Sequence, residues 1–215
     1  MQIPLSAIAA LALPSLLAAC ASVPDAPASP QEAYWSALSS HCGKAYAGRL
    51  ATQDARDADW AGKPMIAHWA DCSDGRIAIA FHVADEDAHG GWNRSRTWIL
   101  TRTGSGADTR FTLKHDHRHA DGAADAVTFY GGATDEAGSA GAQDFPVDAE
   151  SIALFTREGL DVSLTNVWRV EVDPASASDA AFAYQLTRAN DPTRLFRVEF
   201  GASDPVSPPP PAWGW

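Results

Sequence analysis

The chain has 215 residues and a mass of 22.8 kDa, a length that suits one domain with tails. Lys plus Arg is 16 against 27 Asp plus Glu, so the formal net charge is −11, which argues against charge-driven binding to nucleic-acid phosphates or anionic lipid headgroups. A hydrophobic content of 46 % supports a core and excludes a wholly disordered chain, and 3 Cys are too few for a disulfide scaffold.

Residues 1–19 carry no charged side chain, and the apolar run over residues 3–17 is broken by Pro4, Ser6, Pro14 and Ser15. That is too short for a membrane span, which takes about 20 apolar residues, and reads as a secretory signal peptide. The run ends in Leu17-Ala18-Ala19-Cys20, which resembles a bacterial lipobox. The resemblance implies cleavage before Cys20 and acylation of its thiol. Several acyl chains on one residue anchor a protein stably, where a single chain is marginal. Ala21 rather than Asp after Cys20 implies the outer membrane, with the domain facing the periplasm. Once Cys20 is acylated, Cys42 and Cys72 remain as one pair. Export to an oxidising compartment makes a disulfide between them the expectation.

Residues 20–30 hold the lipidated Cys and a Pro-, Ala- and Ser-rich tether. Residues 31–40 then predict a short helix opened by Pro30, with Tyr34, Trp35 and Leu38 on one stripe. From there the period is two. Over residues 76–83, Ile77, Ile79, Phe81 and Val83 share one face. Further strands are predicted over residues 96–103, 110–119, 127–130, 166–172, 182–188 and 195–200, with weaker candidates over 44–52 and 64–72. Turn residues such as Ser73-Asp74-Gly75, Asp121-Gly122 and Asn190-Asp191-Pro192 separate them. A second helix is predicted over residues 149–157.

About nine or ten strands in sequential hairpins predict an all-β domain over residues 31–206, a single antiparallel β-barrel with a short N-terminal helix. A β-sandwich is the alternative. Residues 207–215 form a Pro-rich tail ending in Trp213-Gly214-Trp215. Pro208, Pro209, Pro210 and Pro211 cannot donate ladder hydrogen bonds, so this is not the last strand of an outer-membrane barrel. The terminal Trp pair reads as a clasp packed back on the domain, with a partner-binding tail as the other reading.

The densest polar signal is Leu113-Lys114-His115-Asp116-His117-Arg118-His119. On a continuous strand, Phe111, Leu113, His115, His117 and His119 share a face, so the apolar side turns imidazole-rich toward one end. His115 and His117 could share a metal, but His119 would lie about 13 Å from His115, too far to bind the same ion. His82 and His89 are further metal candidates, although His82 has the parity opposite to Ile79 and Phe81. The acidic stretches Asp54-Ala55-Arg56-Asp57-Ala58-Asp59 and Asp85-Glu86-Asp87 lack the closing Glu of a calcium loop and read as solvated hairpin loops. Neither a nucleophile elbow nor a phosphate loop is present.

Several segments are similar to a family of uncharacterised secreted bacterial proteins and lipoproteins. They are Gly43-Lys44-Ala45-Tyr46-Ala47-Gly48, Arg94-Ser95-Arg96-Thr97-Trp98, the Leu-Lys-His-Asp-His-Arg-His run over residues 113–119, Tyr130-Gly131-Gly132, Asn166-Val167-Trp168 and the closing Trp213-Gly214-Trp215. The resemblance brings no established activity. The helix followed by sequential hairpins also resembles a lipocalin-type barrel, a likeness of fold alone.

Three functional classes follow. The first is a binding module for a small or apolar ligand or another envelope component, with His115, His117, His119, Arg96 and Trp98 lining the site. The second is a His- or metal-dependent hydrolase built on His115, His117, Asp116 and Asp121. The third is a purely structural envelope protein. No cofactor other than a metal on His115 and His117 is expected, and the expected partners are a bilayer through Cys20 and a small ligand or envelope protein, not nucleic acid.

Overall fold

The structure is a computed structural model, and it describes residues 28–215; the signal segment and Cys20 lie outside the described residues. Helix α1 (Pro30–Ser39) starts where its cap dictates. The Ser29 hydroxyl accepts the Glu32 N–H at 3.2 Å, the Glu32 carboxylate accepts the Ser29 N–H at 2.9 Å, and Pro30 sits at the first turn.

Ten antiparallel strands follow: β1 (Ala45–Leu50), β2 (Met65–Ser73), β3 (Arg76–Ala84), β4 (Trp92–Thr103), β5 (Arg110–His117), β6 (Tyr130–Ala133), β7 (Ala142–Pro146), β8 (Asn166–Val172), β9 (Ala181–Arg188) and β10 (Asp191–Gly201). Each strand pairs with its sequence neighbour from β1 to β6 and from β7 to β10, and β10 pairs back with β1. The remaining gap, between β6 and β7, is bridged at Gly132 and Val147, so the sheet nearly closes into a barrel. The all-β barrel is therefore the architecture, not the sandwich. Helix α2 (Ala149–Arg157) connects β7 to β8.

Strand β6 carries two glycines for steric reasons. A side chain at Gly132 would strike the carbonyl oxygens of Pro146 and Phe145 on β7, and one at Gly131 would strike the Leu113 carbonyl on the other neighbour, β5, so β6 is bare toward both sides. Bare backbone is what lets the two sheet edges approach.

Strand alternation builds the interior. Trp69, Ile77, Ile79, Leu100, Leu113, Phe182 and Val198 are fully buried inside it. Helix α1 plugs one end. Tyr34 and Leu38 are fully buried, and the Trp35 ring stacks on Phe111 at 5.7 Å and donates its indole N–H to the Asp74 carbonyl at 3.1 Å. Burying each of these side chains stabilises the plug by about 1.5–3 kcal/mol. Cys42 and Cys72 form a disulfide with Cα atoms 6.1 Å apart, tying the chain just beyond α1 to the end of β2.

The C-terminal tail packs on the outer wall of the barrel. The Trp213 N–H donates to the Arg94 carbonyl at 3.0 Å, and Arg94 Nη1 donates to the Pro211 carbonyl at 2.6 Å. For this reason β3 is buried on both faces: Ala80 and His82 point outward yet are covered. The terminal Trp segment is thus a clasp, as its composition suggests.

Candidate functional site

The barrel end opposite α1 is not filled. It holds a pocket of about 220 Å3. Four of the five side chains singled out for ligand binding converge there, for reasons of register. On β4, Arg96 and Trp98 point inward with Leu100. Arg96 lies opposite Phe81 of β3 and His117 of β5, and Trp98 lies opposite Ile79 and His115. The far wall comes from β9 and β10, which contribute Tyr184, Leu186 and Phe196. Tyr130 completes the rim at the start of β6.

Aromatic rings form one wall. Trp60, Phe81, Trp98 and Tyr184 stack in sequence, with centroid separations of 5.8, 4.6 and 4.4 Å and interplanar angles of 4°, 15° and 13°. Such offset stacks add about 0.5–1.5 kcal/mol per pair beyond area burial, so this wall is rigid before any ligand arrives.

The imidazoles are fixed by hydrogen bonds. His115 Nδ1 lies 3.0 Å from the Tyr130 carbonyl, which can only accept, so Nδ1 carries the proton. Nε2 is therefore the acceptor and takes the Tyr184 hydroxyl proton at 2.7 Å. Burial, first of all, pushes the His115 pKa down to about 3, and that of His117 down to about 4. His117 Nε2 lies 3.2 Å from the Tyr130 hydroxyl. Burial raises the Tyr130 phenol to about 12. At neutral pH all four groups are uncharged, and they act as hydrogen-bonding dipoles.

The pocket also holds an ion pair that sequence reasoning missed. The acidic stretch forms a 3-10 turn over Ala55–Trp60 whose residues are mostly exposed, as a solvated loop would have them, except that Asp57 is buried at the barrel mouth. Its Asp57 is 4 % exposed and accepts two bonds from Arg194, at 2.6 and 2.8 Å. The signal that marks this turn is Trp60, an aromatic residue closing a run of aspartates.

His119 does not belong to the site. Strand β5 ends at His117 because the Asp121-Gly122 turn folds the chain back early: the His119 N–H donates to the Ala123 carbonyl and the Gly122 N–H to that of His119. The His119 side chain is 59 % exposed and sits 3.7 Å from Asp125. The residues of a hydrolase are likewise separated. Asp116 faces the outer wall, where it accepts from Arg118 and Trp215, and Asp121 accepts the Ala123 N–H in the turn. The rings of His115 and His117 are 6.5 Å apart and nearly perpendicular, and both engage tyrosines. Among the described residues no group of three or more His, Cys, Asp or Glu is placed to hold a metal ion, so His115 and His117 gain no third ligand from His82 or His89.

A larger groove of about 650 Å3 lies on the outer wall across β1 and β7–β10. Most of its charges are paired with one another: Arg169 with Asp144 and Glu171, and Arg197 with Glu171 and Glu199, whereas Arg49 on the same wall forms no ion pair among the described residues. The smaller barrel-end pocket is the better candidate because imidazole, phenol and guanidinium groups converge there beside aromatic and apolar walls.

Comparison of the chain with protein-family models, with curated proteins and with solved structures finds no match.

Proposed function

We propose that this chain is an envelope lipoprotein, acylated at Cys20 and held on the outer membrane facing the periplasm. Its barrel is a binding module for a small ligand. The observation that carries the reading is the asymmetry of the barrel. One end is plugged by α1, whereas the other leaves a concave pocket whose polar groups, His115 above all, are locked by hydrogen bonds made without a ligand. Preformed concave sites with a few fixed polar groups are what small-molecule binding requires. The lipobox-like Leu17-Ala18-Ala19-Cys20 supports the anchor, and the Cys42–Cys72 disulfide accords with an oxidising compartment. The resemblance to secreted bacterial lipoproteins points the same way.

The test is native mass spectrometry of the full-length protein taken from its host's envelope. A bound small molecule is expected in the wild type and absent in a folded His117→Ala variant. Identical adduct spectra from the two proteins would exclude this pocket. The anchor is tested by Cys20→Ser, which should move the protein from the membrane fraction to the soluble fraction; retention in the membrane would refute acylation at Cys20.

A further inference from the structure

The charge inside the barrel-end pocket identifies the ligand class, an inference that rests on the binding reading above. Two guanidinium groups face the pocket. Arg194 is neutralised by its two bonds to Asp57 and a third, at 3.2 Å, to Asp54. Arg96 is not. Its Nη1 donates to the Ser95 hydroxyl at 3.0 Å, and its guanidinium lies 4.8 Å over the Trp60 ring, but among the described residues it forms no ion pair with a carboxylate.

We propose that the pocket selects small monocarboxylates with a flat or short apolar body, and that Arg96 is their counter-ion. Charge balance supports a single negative charge. Among the lining residues, His115, His117 and the tyrosine hydroxyls are neutral and the Asp57–Arg194 pair cancels, which leaves the one positive charge of Arg96; Asp54, behind Arg194, has its own partner in Arg56. Asp125, outside the lining, acts on Arg96 electrostatically; it accepts the Val127 N–H at 2.8 Å and faces His119 at 3.7 Å. Burial already disfavours the charged form of Arg96, yet a guanidinium stays protonated, so an entering anion relieves a standing desolvation cost.

Geometry favours a carboxylate over a phosphate. A guanidinium fork matches two carboxylate oxygens in its own plane. A phosphate dianion would bring twice the charge to one unpaired cation. The apolar faces of Trp60, Phe196 and Leu186 suit the body of the acid, and about 220 Å3 is below the range of pockets for drug-sized ligands, so the acid is small.

Titration calorimetry on the full-length protein with benzoate, benzamide and indole tests this. Benzoate is expected to bind about tenfold or more tightly than its neutral isostere benzamide. In Arg96→Gln that preference should disappear while benzamide binding persists, which also shows that the variant is folded. Asp125→Asn, which removes that outlying charge, should tighten benzoate binding a few-fold. Equal affinity for benzoate and benzamide in the wild type would overturn the carboxylate class and leave the pocket reading standing. An unchanged preference in Arg96→Gln would overturn the role of Arg96. If none of the three compounds binds, including neutral indole, both this inference and the binding reading fall.

Discussion

The indole N–H of Trp215, the last residue of the chain, donates to Asp116 Oδ2 at 3.0 Å. Asp116 is 1 % exposed and lies between His115 and His117 on β5, facing the opposite way. Arg118 Nε also donates to it, at 2.8 Å. The tail therefore satisfies a buried carboxylate on the back of the strand that carries both pocket imidazoles. Trp215→Phe keeps a ring but removes the donor, and the loss from a buried charged acceptor should be about 1–3 kcal/mol. Urea unfolding reads this directly, and an unchanged midpoint would show that water replaces the indole.

The Asp57–Arg194 pair anchors the 3-10 turn across the pocket mouth, at 4 % and 8 % exposure. Asp57→Ala removes two of the three carboxylate bonds to a buried guanidinium, leaving only Asp54 at 3.2 Å, and should cost about 2–3 kcal/mol, less than the roughly 3–5 kcal/mol of a fully unpaired buried charge. The double variant Asp57→Leu/Arg194→Met should lose less than Asp57→Ala alone, because no uncompensated charge remains. Equilibrium unfolding of both variants checks the order. A double variant less stable than the single would show that the pair contributes net stability.

Stability should fall with acid before the carboxylates titrate. Burial, then His68 and Arg94, pushes the fully buried His82 down to about 4, and neither ring nitrogen has a partner. His115 is pushed down to about 3. Above about pH 7.5 both imidazoles are neutral in folded and unfolded chains, so they contribute little pH dependence there. As pH falls from 6.5 toward 4, the unfolded chain takes up protons that the folded one refuses. Each imidazole then costs roughly 2 kcal/mol between pH 7 and pH 5. The melting temperature should drop over that window, and His82→Leu should flatten the slope. A flat profile in the wild type would mean that the barrel opens enough to hydrate these rings.

The Cys42–Cys72 bond closes a separation of 30 residues that holds β1, the 3-10 turn and most of β2. The chain-entropy estimate for such a loop is about 3.6 kcal/mol. Cys42→Ser/Cys72→Ser should lower unfolding stability by that order, as measured in denaturant. A change below about 1 kcal/mol would mean that the reduced chain keeps these segments together when unfolded.

Much of the barrel was legible because its strands obey period two. The predicted range over residues 166–172 coincides with β8, and that over 149–157 with α2. Strand β7 was not legible: Ala142-Gln143-Asp144-Phe145-Pro146 carries one large apolar side chain and ends in Pro, so it lacks a strand pattern. The strand predicted over residues 127–130 is displaced to Tyr130–Ala133. Its glycines have weak strand propensity, and close approach to β5 and β7, a tertiary demand, selects them. For the pocket, parity along β4 and β5 was enough to place Arg96, Trp98, His115 and His117 on inward faces. Asp57, Trp60 and Arg194 were hidden because their pairing joins positions 137 residues apart, and no local pattern encodes it.

A small ligand is expected to sit at the barrel end between Trp60, Arg96 and His117. The most direct measurement is heteronuclear NMR of the labelled protein titrated with a mixed set of small neutral, cationic and anionic compounds. Perturbed signals should cluster on the Trp60 indole, the Arg96 side chain and His117. Perturbations confined to Arg169, Arg197 and their neighbours on the outer wall, or no perturbation by any compound, would contradict it.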